Sequence, residues 1–174
     1  MFMELFGLGV LLAGPSGVGK SELALELLTR GHRLIADDAA EFLRAADGSV
    51  HGRCPPLLQG FLEARSLGIL NVGEMFGARS LCDEHRLDLV IRLEFRHDML
   101  ARTPQPLERL EGRRSIGTVL GVDLPEVSIP IRLGHNLAVL VEAACRDLRL
   151  RQTGYRADED FAARQLQAIR DSKA

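Results

Sequence analysis

Gly14-Pro15-Ser16-Gly17-Val18-Gly19-Lys20-Ser21 is the stretch that decides the fold of this chain. It fits G-x-x-x-x-G-K-[ST], the pattern of a loop that cradles phosphate. Glycines let the backbone take positive φ, so that successive N–H groups converge on an anion. Lys20 supplies a point charge for the β- and γ-phosphates, and the Ser21 hydroxyl is placed to ligate Mg²⁺. Such a loop needs a buried strand before it and a helix after it. Leu8-Gly9-Val10-Leu11-Leu12-Ala13 is a short apolar run of the first kind, and Ser21 to Leu28 is made of strong helix formers. Gly14, Pro15, Ser16, Gly17, Val18, Gly19, Lys20 and Ser21 are therefore expected to form a nucleotide-phosphate site.

Outward from the loop, the pattern predicts strands over Phe2 to Phe6 and Leu8 to Ala13, with Gly7 at the turn. The helix from Lys20 should end at Arg30-Gly31, where glycine suits the left-handed position and arginine the C-terminal dipole. His32 to Ala36 reads as a strand that delivers Asp37-Asp38 at its C-terminal end. Glu41 to Val50 reads as a strand and hairpin turning at Asp47-Gly48. Cys54-Pro55-Pro56 breaks the chain, and Leu57 to Glu63 suggests a helical turn. Arg86 to Glu94 alternates through Leu87, Leu89, Ile91 and Leu93, the pattern of a half-buried strand. Arg96 to Ser115, with Pro104 and Pro106, reads as a polar, mobile excursion. Val127 to Leu133 is a further strand, in which Pro130 favours an edge or a bulge. Asn136 should cap a helix over Leu137 to Gln152, ending near Gly154, with an apolar stripe of Leu137, Leu140, Val141, Ala144 and Leu148. A second, more polar helix is expected over Asp158 to Ile169. The predicted class is α/β: a single P-loop domain with a mixed central sheet, the phosphate loop opening a helix, and two C-terminal helices.

Composition narrows the partners. With 174 residues, 46% of them hydrophobic and 26% charged, the chain is long enough to bury a core as one domain. A net charge of −2 and 5% aromatics do not describe a nucleic-acid surface, which needs a basic field and stacking rings. The three cysteines are far apart and have neither zinc-ligand nor disulfide spacing, which suits a reducing cytoplasm. The apolar start from Phe2 to Ala13 has no basic segment, carries Glu4 and runs into the phosphate loop, so it reads as strands and not as a cleaved leader. No run reaches the length of a membrane span.

Other residues carry chemistry less directly. Asp37 and Asp38 sit where open α/β sheets place ligands, and neighbours on a strand point to opposite faces. One could orient the metal or a group behind it while the other takes a proton from an attacking hydroxyl; a solvated turn is the alternative. In Glu63-Ala64-Arg65, a metal ligand at Glu63 and a phosphate-facing Arg65 compete with a surface ion pair. Arg109, with Arg102, Arg113 and Arg114, is either a loop cation for the transferring phosphoryl group or part of a solvated basic loop. Arg132, in Pro130-Ile131-Arg132-Leu133-Gly134-His135, is either a cation at a strand end or part of the exit into the Asn136 cap. Arg146, Arg149, Arg151 and Arg156 fit a helix C-terminus, or a surface for docking a protein substrate.

Gly14 to Leu27, Arg30 to Asp38, Leu62 to Val72 and Ile129 to Glu142 together resemble the bacterial HPr kinase/phosphorylase family, over a region corresponding to its C-terminal catalytic domain. The resemblance implies a protein serine kinase that uses ATP and Mg²⁺ and acts on the phosphocarrier HPr or an HPr-like carrier. It implies Lys20 on the nucleotide phosphates, Ser21 and Glu63 as metal ligands, and Asp38 as proton acceptor. In the reverse, phosphorylase direction Asp38 becomes the proton donor. Arg109 would be the catalytic arginine, Glu63 to Asn71 the signature segment and Pro130 to His135 the dephosphorylation segment. C-terminal helices that contact HPr and a hexameric assembly are implied too. Ser66 replaces the family's usual Gly, and Leu133 and His135 replace a Pro and an Arg, so kinase activity is expected ahead of phosphorylase activity. The family's His-Gly pair, just before the strand that here begins at Met1, and the separate N-terminal domain of longer members are expected to be missing. A kinase of this fold with a different protein or small-molecule acceptor, or a non-catalytic nucleotide-binding regulatory module, are the alternatives.

Overall fold

The computed structural model describes residues 1–95, 112–132 and 134–172. Strand β1 (Phe2–Leu5) turns back into β2 (Leu8–Ala13), with Phe2 opposite Leu11. Phe6 and Gly7 both take positive φ in that turn, as a two-residue hairpin of this hand requires. Helix α1 (Lys20–Thr29) follows the loop, and Gly31 ends it at φ 88. Next come β3 (Arg33–Ala36), β4 (Glu41–Arg44) and β5 (Val50–Arg53). At the β4–β5 turn Asp47 accepts the Ser49 N–H at 2.9 Å. β6 (Phe61–Ala64) and β7 (Gly68–Asn71) form a separate two-stranded sheet, and Asn71 caps the short helix α2 (Val72–Phe76). β8 (Glu84–Phe95), β9 (Arg114–Val119), β10 (Val122–Ile131), α3 (Leu137–Gln152) and α4 (Ala157–Asp171) complete the described elements.

The main sheet runs β3-β1-β2-β8-β10-β9, with the β4–β5 hairpin attached through β5 to β8. β1 is antiparallel to both β2 and β3, while β8 is parallel to β2 and β10 to β8. β2, β3, β8 and β10 consequently end at one edge of the sheet, and that edge carries the phosphate loop and Asp37-Asp38. Helices α1 and α3 bury Leu23, Ala24, Leu27 and Leu28, and Ala138, Val141, Ala144, Cys145 and Leu148, in one cluster with Val10, Leu12, Leu89, Ile91 and Leu93. A second cluster gathers Phe2, Ile35, Val50, Leu87 and Leu124.

The mixed α/β class, the phosphate-loop helix and the two C-terminal helices hold as expected. Several local expectations are corrected. The predicted helical turn over Leu57 to Glu63 is confined to Pro56–Leu58, and Glu63 lies on β6. The period there is two: Phe61 and Glu63 face out while Leu62 and Ala64 are buried. β8 is buried continuously from Leu87 to Ile91, because both faces of the sheet are covered there: Leu89 and Ile91 belong to the first cluster and Leu87 to the second. Leu87 also leaves the expected alternation. An extra residue, Asp88, lies between the pairs Gly9↔Leu87 and Val10↔Leu89, and sends Leu87 to the second cluster. Of the excursion predicted over Arg96 to Ser115, residues 96–111 are outside the described set, whereas Arg114 and Ser115 begin β9. Pro130 lies on β10 beyond the described β9 register, which ends at Val127, and pairs with Glu94 of β8. On α3 the buried stripe contains Ala138 and Cys145, and Leu140 is exposed.

Candidate active site

Between β2 and α1 the chain turns through Gly14, Gly17 and Gly19, all at positive φ. Gly14 has no room for a side chain, since a Cβ would stand 2.7 Å from the Leu93 carbonyl oxygen. Gly19 occupies the N-cap of α1 without a capping side chain. The first amides of the helix therefore point into the loop with no side-chain acceptor, ready for an anion. Lys20 bends back, its Nζ donating to the carbonyl oxygens of Gly14 (3.0 Å) and Pro15 (3.2 Å).

One pocket of about 180 Å³ unites this loop with the sheet edge. Ser16, Gly17, Gly19, Lys20 and Ser21 line one side, and Asp38, Glu63 and Arg65 the other. Asp38 arrives because β3 runs in the same direction as β2, with β1 between them. Glu63 and Arg65 arrive on the β6–β7 hairpin. Asp37 fastens that hairpin: its Oδ2 accepts the Glu63 N–H at 2.9 Å. Burial pushes the Asp37 carboxyl above the ordinary aspartate range; the Glu63 N–H opposes this and the Asp38 charge adds to it. Arg65 crosses to the loop, where its Nη2 donates to Ser16 Oγ at 2.7 Å. Its guanidinium fills the space beside Gly17, so that a Cβ there would lie 3.1 Å from Nη1.

The two aspartates thus separate as adjacent strand-end residues should. Asp38 is exposed and lines the phosphate pocket, whereas Asp37 lines the neighbouring cavity and supports the hairpin. Arg132 is exposed one residue past β10, at the same edge, but does not line the pocket. Arg109 lies outside the described residues. Pro15 and Val18 shape the loop from behind, through a Val18 N–H to Pro15 carbonyl bond and the burial of Val18. Asn71, the last residue of the signature segment, spends its side chain on capping α2 through the Glu74 N–H at 3.1 Å.

Glu22 also lines the pocket, a residue read from sequence only as a helix former. Its position directly after Ser21, in the first turn of α1, was the available signal. Glu22, Asp38 and Glu63 are three carboxylates on a surface built for phosphates, with Lys20 and Arg65 as the cations. Among the described residues no three His, Cys, Asp or Glu side chains converge as a preformed cage. The lining offers only oxygen donors to a metal, the set that suits a hard, water-retaining cation such as Mg²⁺.

Loop, sheet edge and opposed carboxylates define a P-loop phosphate-binding domain of α/β class. Comparison with known proteins narrows that class. Residues 1–165 match the family model for the HPr serine kinase C-terminal domain, and the chain belongs to that family. HPr kinase/phosphorylase of Bordetella petrii is 45% identical over 172 residues, covering 99% of this chain and 54% of that protein. The protein of the same name from Stenotrophomonas maltophilia strain K279a is 48% identical over 164 residues, covering 94% and 51%. The chain thus spans about half the length of these curated relatives. The solved HPr(Ser) kinase/phosphatase of Coxiella burnetii superimposes with a TM-score of 0.80 at 31% identity, covering 92% of this chain and 94% of that one.

Proposed function

We propose that the protein is a serine kinase that moves the γ-phosphoryl group of ATP to a serine of HPr or an HPr-like phosphocarrier. The observation that carries this reading is the single pocket in which Lys20 and Ser21 face Asp38. The loop amides and Lys20 hold the β- and γ-phosphates. Asp38 takes the serine proton as the new O–P bond forms and the bond to the ADP leaving oxygen breaks. Ser21 and Glu63 hold Mg²⁺, which when bound neutralises charge on the phosphates. Asp37 acts through Glu63 by fixing the hairpin. Arg65, already against the loop, stabilises the transferring group, with Arg132 as a further cation exposed at the same edge; the family resemblance gives Arg109 the role of catalytic arginine. The phosphorylase half of the relatives' name fits transfer in the opposite direction: inorganic phosphate attacks the phosphorus of phosphoserine, the bond to the serine oxygen breaks, Asp38 returns the proton to that oxygen, and pyrophosphate forms.

The family resemblance adds a homo-oligomeric, hexameric assembly, and the three widely spaced cysteines suit a cytoplasmic setting. No helix among the described residues is long and apolar enough to cross a membrane. Incubation with Mg-ATP and a panel of HPr, other proteins and small alcohols tests the acceptor. Phosphoserine on HPr is expected. Phosphate appearing only on another acceptor, or nucleotide binding with no transfer to anything, contradicts the proposal.

A further inference from the structure

A second cavity, of about 170 Å³, lies on the other side of Asp38. Asp38 and Glu63 belong to both cavities, so they form a shared wall. Beyond that wall the lining changes character to Cys54, Leu58, Phe61 and Ile69. The β6–β7 register explains how this surface is built. Glu63 pairs with Ile69 and Phe61 with Asn71, so Phe61, Glu63 and Ile69 share the outward face while Leu62 and Leu70 pair on the other. Phe61 is 42% exposed and Ile69 66% exposed, an unusual cost for large apolar groups beside a polar site.

We infer that this cavity takes a large apolar side chain next to the acceptor serine and thereby sets acceptor specificity. The inference rests on the kinase reading above. Geometry selects the occupant: phosphates belong on the loop side of Asp38, so whatever brings a hydroxyl to Asp38 must come from the opposite side and cross Phe61 and Ile69. Charge selects it further. The polar members of the lining are Asp37, Asp38 and Glu63, which repel a second phosphate or an acidic flank and accept an uncharged one. The volume suits one aliphatic or aromatic side chain.

The test is steady-state kinetics with HPr on Phe61→Ser and Ile69→Ser, both at exposed positions outside the proposed catalytic set. Removing apolar contact from a pocket of this kind costs about tenfold in discrimination. The KM for HPr should therefore rise about tenfold with kcat and nucleotide affinity unchanged, and Phe61→Leu should restore it. Replacing an apolar residue beside the HPr serine by Ala should produce the same rise and add little to that of Ile69→Ser, while Asp there should be worse. Unchanged KM in both enzyme variants, or full additivity with the HPr substitution, overturns the inference and leaves the kinase reading standing. A change in oligomeric state in Phe61→Ser overturns it too, assigning the face to a second copy. Failure of the unsubstituted protein to phosphorylate HPr removes the kinase reading, and this inference with it.

Discussion

Lys20, Arg65 and Asp38 show how a side chain acquires a role from its surroundings. Lys20 and Arg65 already rest on the loop, one on carbonyls and the other on Ser16 Oγ, so the cations are delivered before any phosphate arrives. Gly17 is what lets Arg65 come so close, at φ 80 and with a Cβ position 3.1 Å from Nη1. Gly17→Ala should therefore lower nucleotide affinity about tenfold or more, with little change in folded content, as calorimetric titration with Mg-ATP would show. Far from the site, burial opposes ionisation of Glu4, but Arg33 Nε at 2.7 Å and the Gly7 N–H hold its pKa below the ordinary glutamate range. A depressed folded-state pKa contributes stability above the unfolded-state value and loses it as pH falls through the folded one. Thermal melts should show Glu4→Gln with a smaller stability loss across that acid range than the unsubstituted protein.

At the scale of elements, the bulge between β2 and β8 is the least forgiving feature. Asp88 Oδ2 accepts the Gly9 N–H at 2.9 Å, and a Cβ on Gly9 would lie 1.9 Å from the Arg86 carbonyl oxygen. Gly9→Ala should destabilise by about 3 kcal/mol in denaturant melts, because the obstacle is backbone. Asn136 Oδ1 caps α3 through the Val139 N–H at 3.1 Å, and Asn136→Ala should cost about 1 kcal/mol. That cap was legible in the sequence, as were β1, β2, α1 and the end of α1 at Gly31, because each is written in local chemistry. The β9–β10 hairpin was not. It turns through Leu120 and Gly121 at φ 50 and 74, and leucine gives no turn signal. β6 was missed for a related reason: its outward Phe61 and inward Leu62 are both apolar, which hides a period of two. The bulge at Asp88 was equally invisible, since only the partner strand defines it.

For the molecule as a whole, the parallel set β2, β3, β8 and β10 brings residues from distant parts of the chain to one edge. The sequence could place Lys20 and Ser21 in the loop that opens α1, and could put Asp38 just past a strand end. It could not show that Asp37 turns away to hold Glu63, that Glu22 joins the pocket, or that Asp38 divides a polar cavity from an apolar one. On the proposed function that division separates a donor side from an acceptor side, with Asp38 serving both. The most direct measurement is intact-mass analysis of HPr after incubation with Mg-ATP and either the unsubstituted protein or Asp38→Asn, alongside nucleotide titration of each. Phosphoserine-HPr is expected from the first, at least a hundredfold less from the second, and similar nucleotide affinity in both. Normal phosphoserine formation by Asp38→Asn would contradict that role for Asp38.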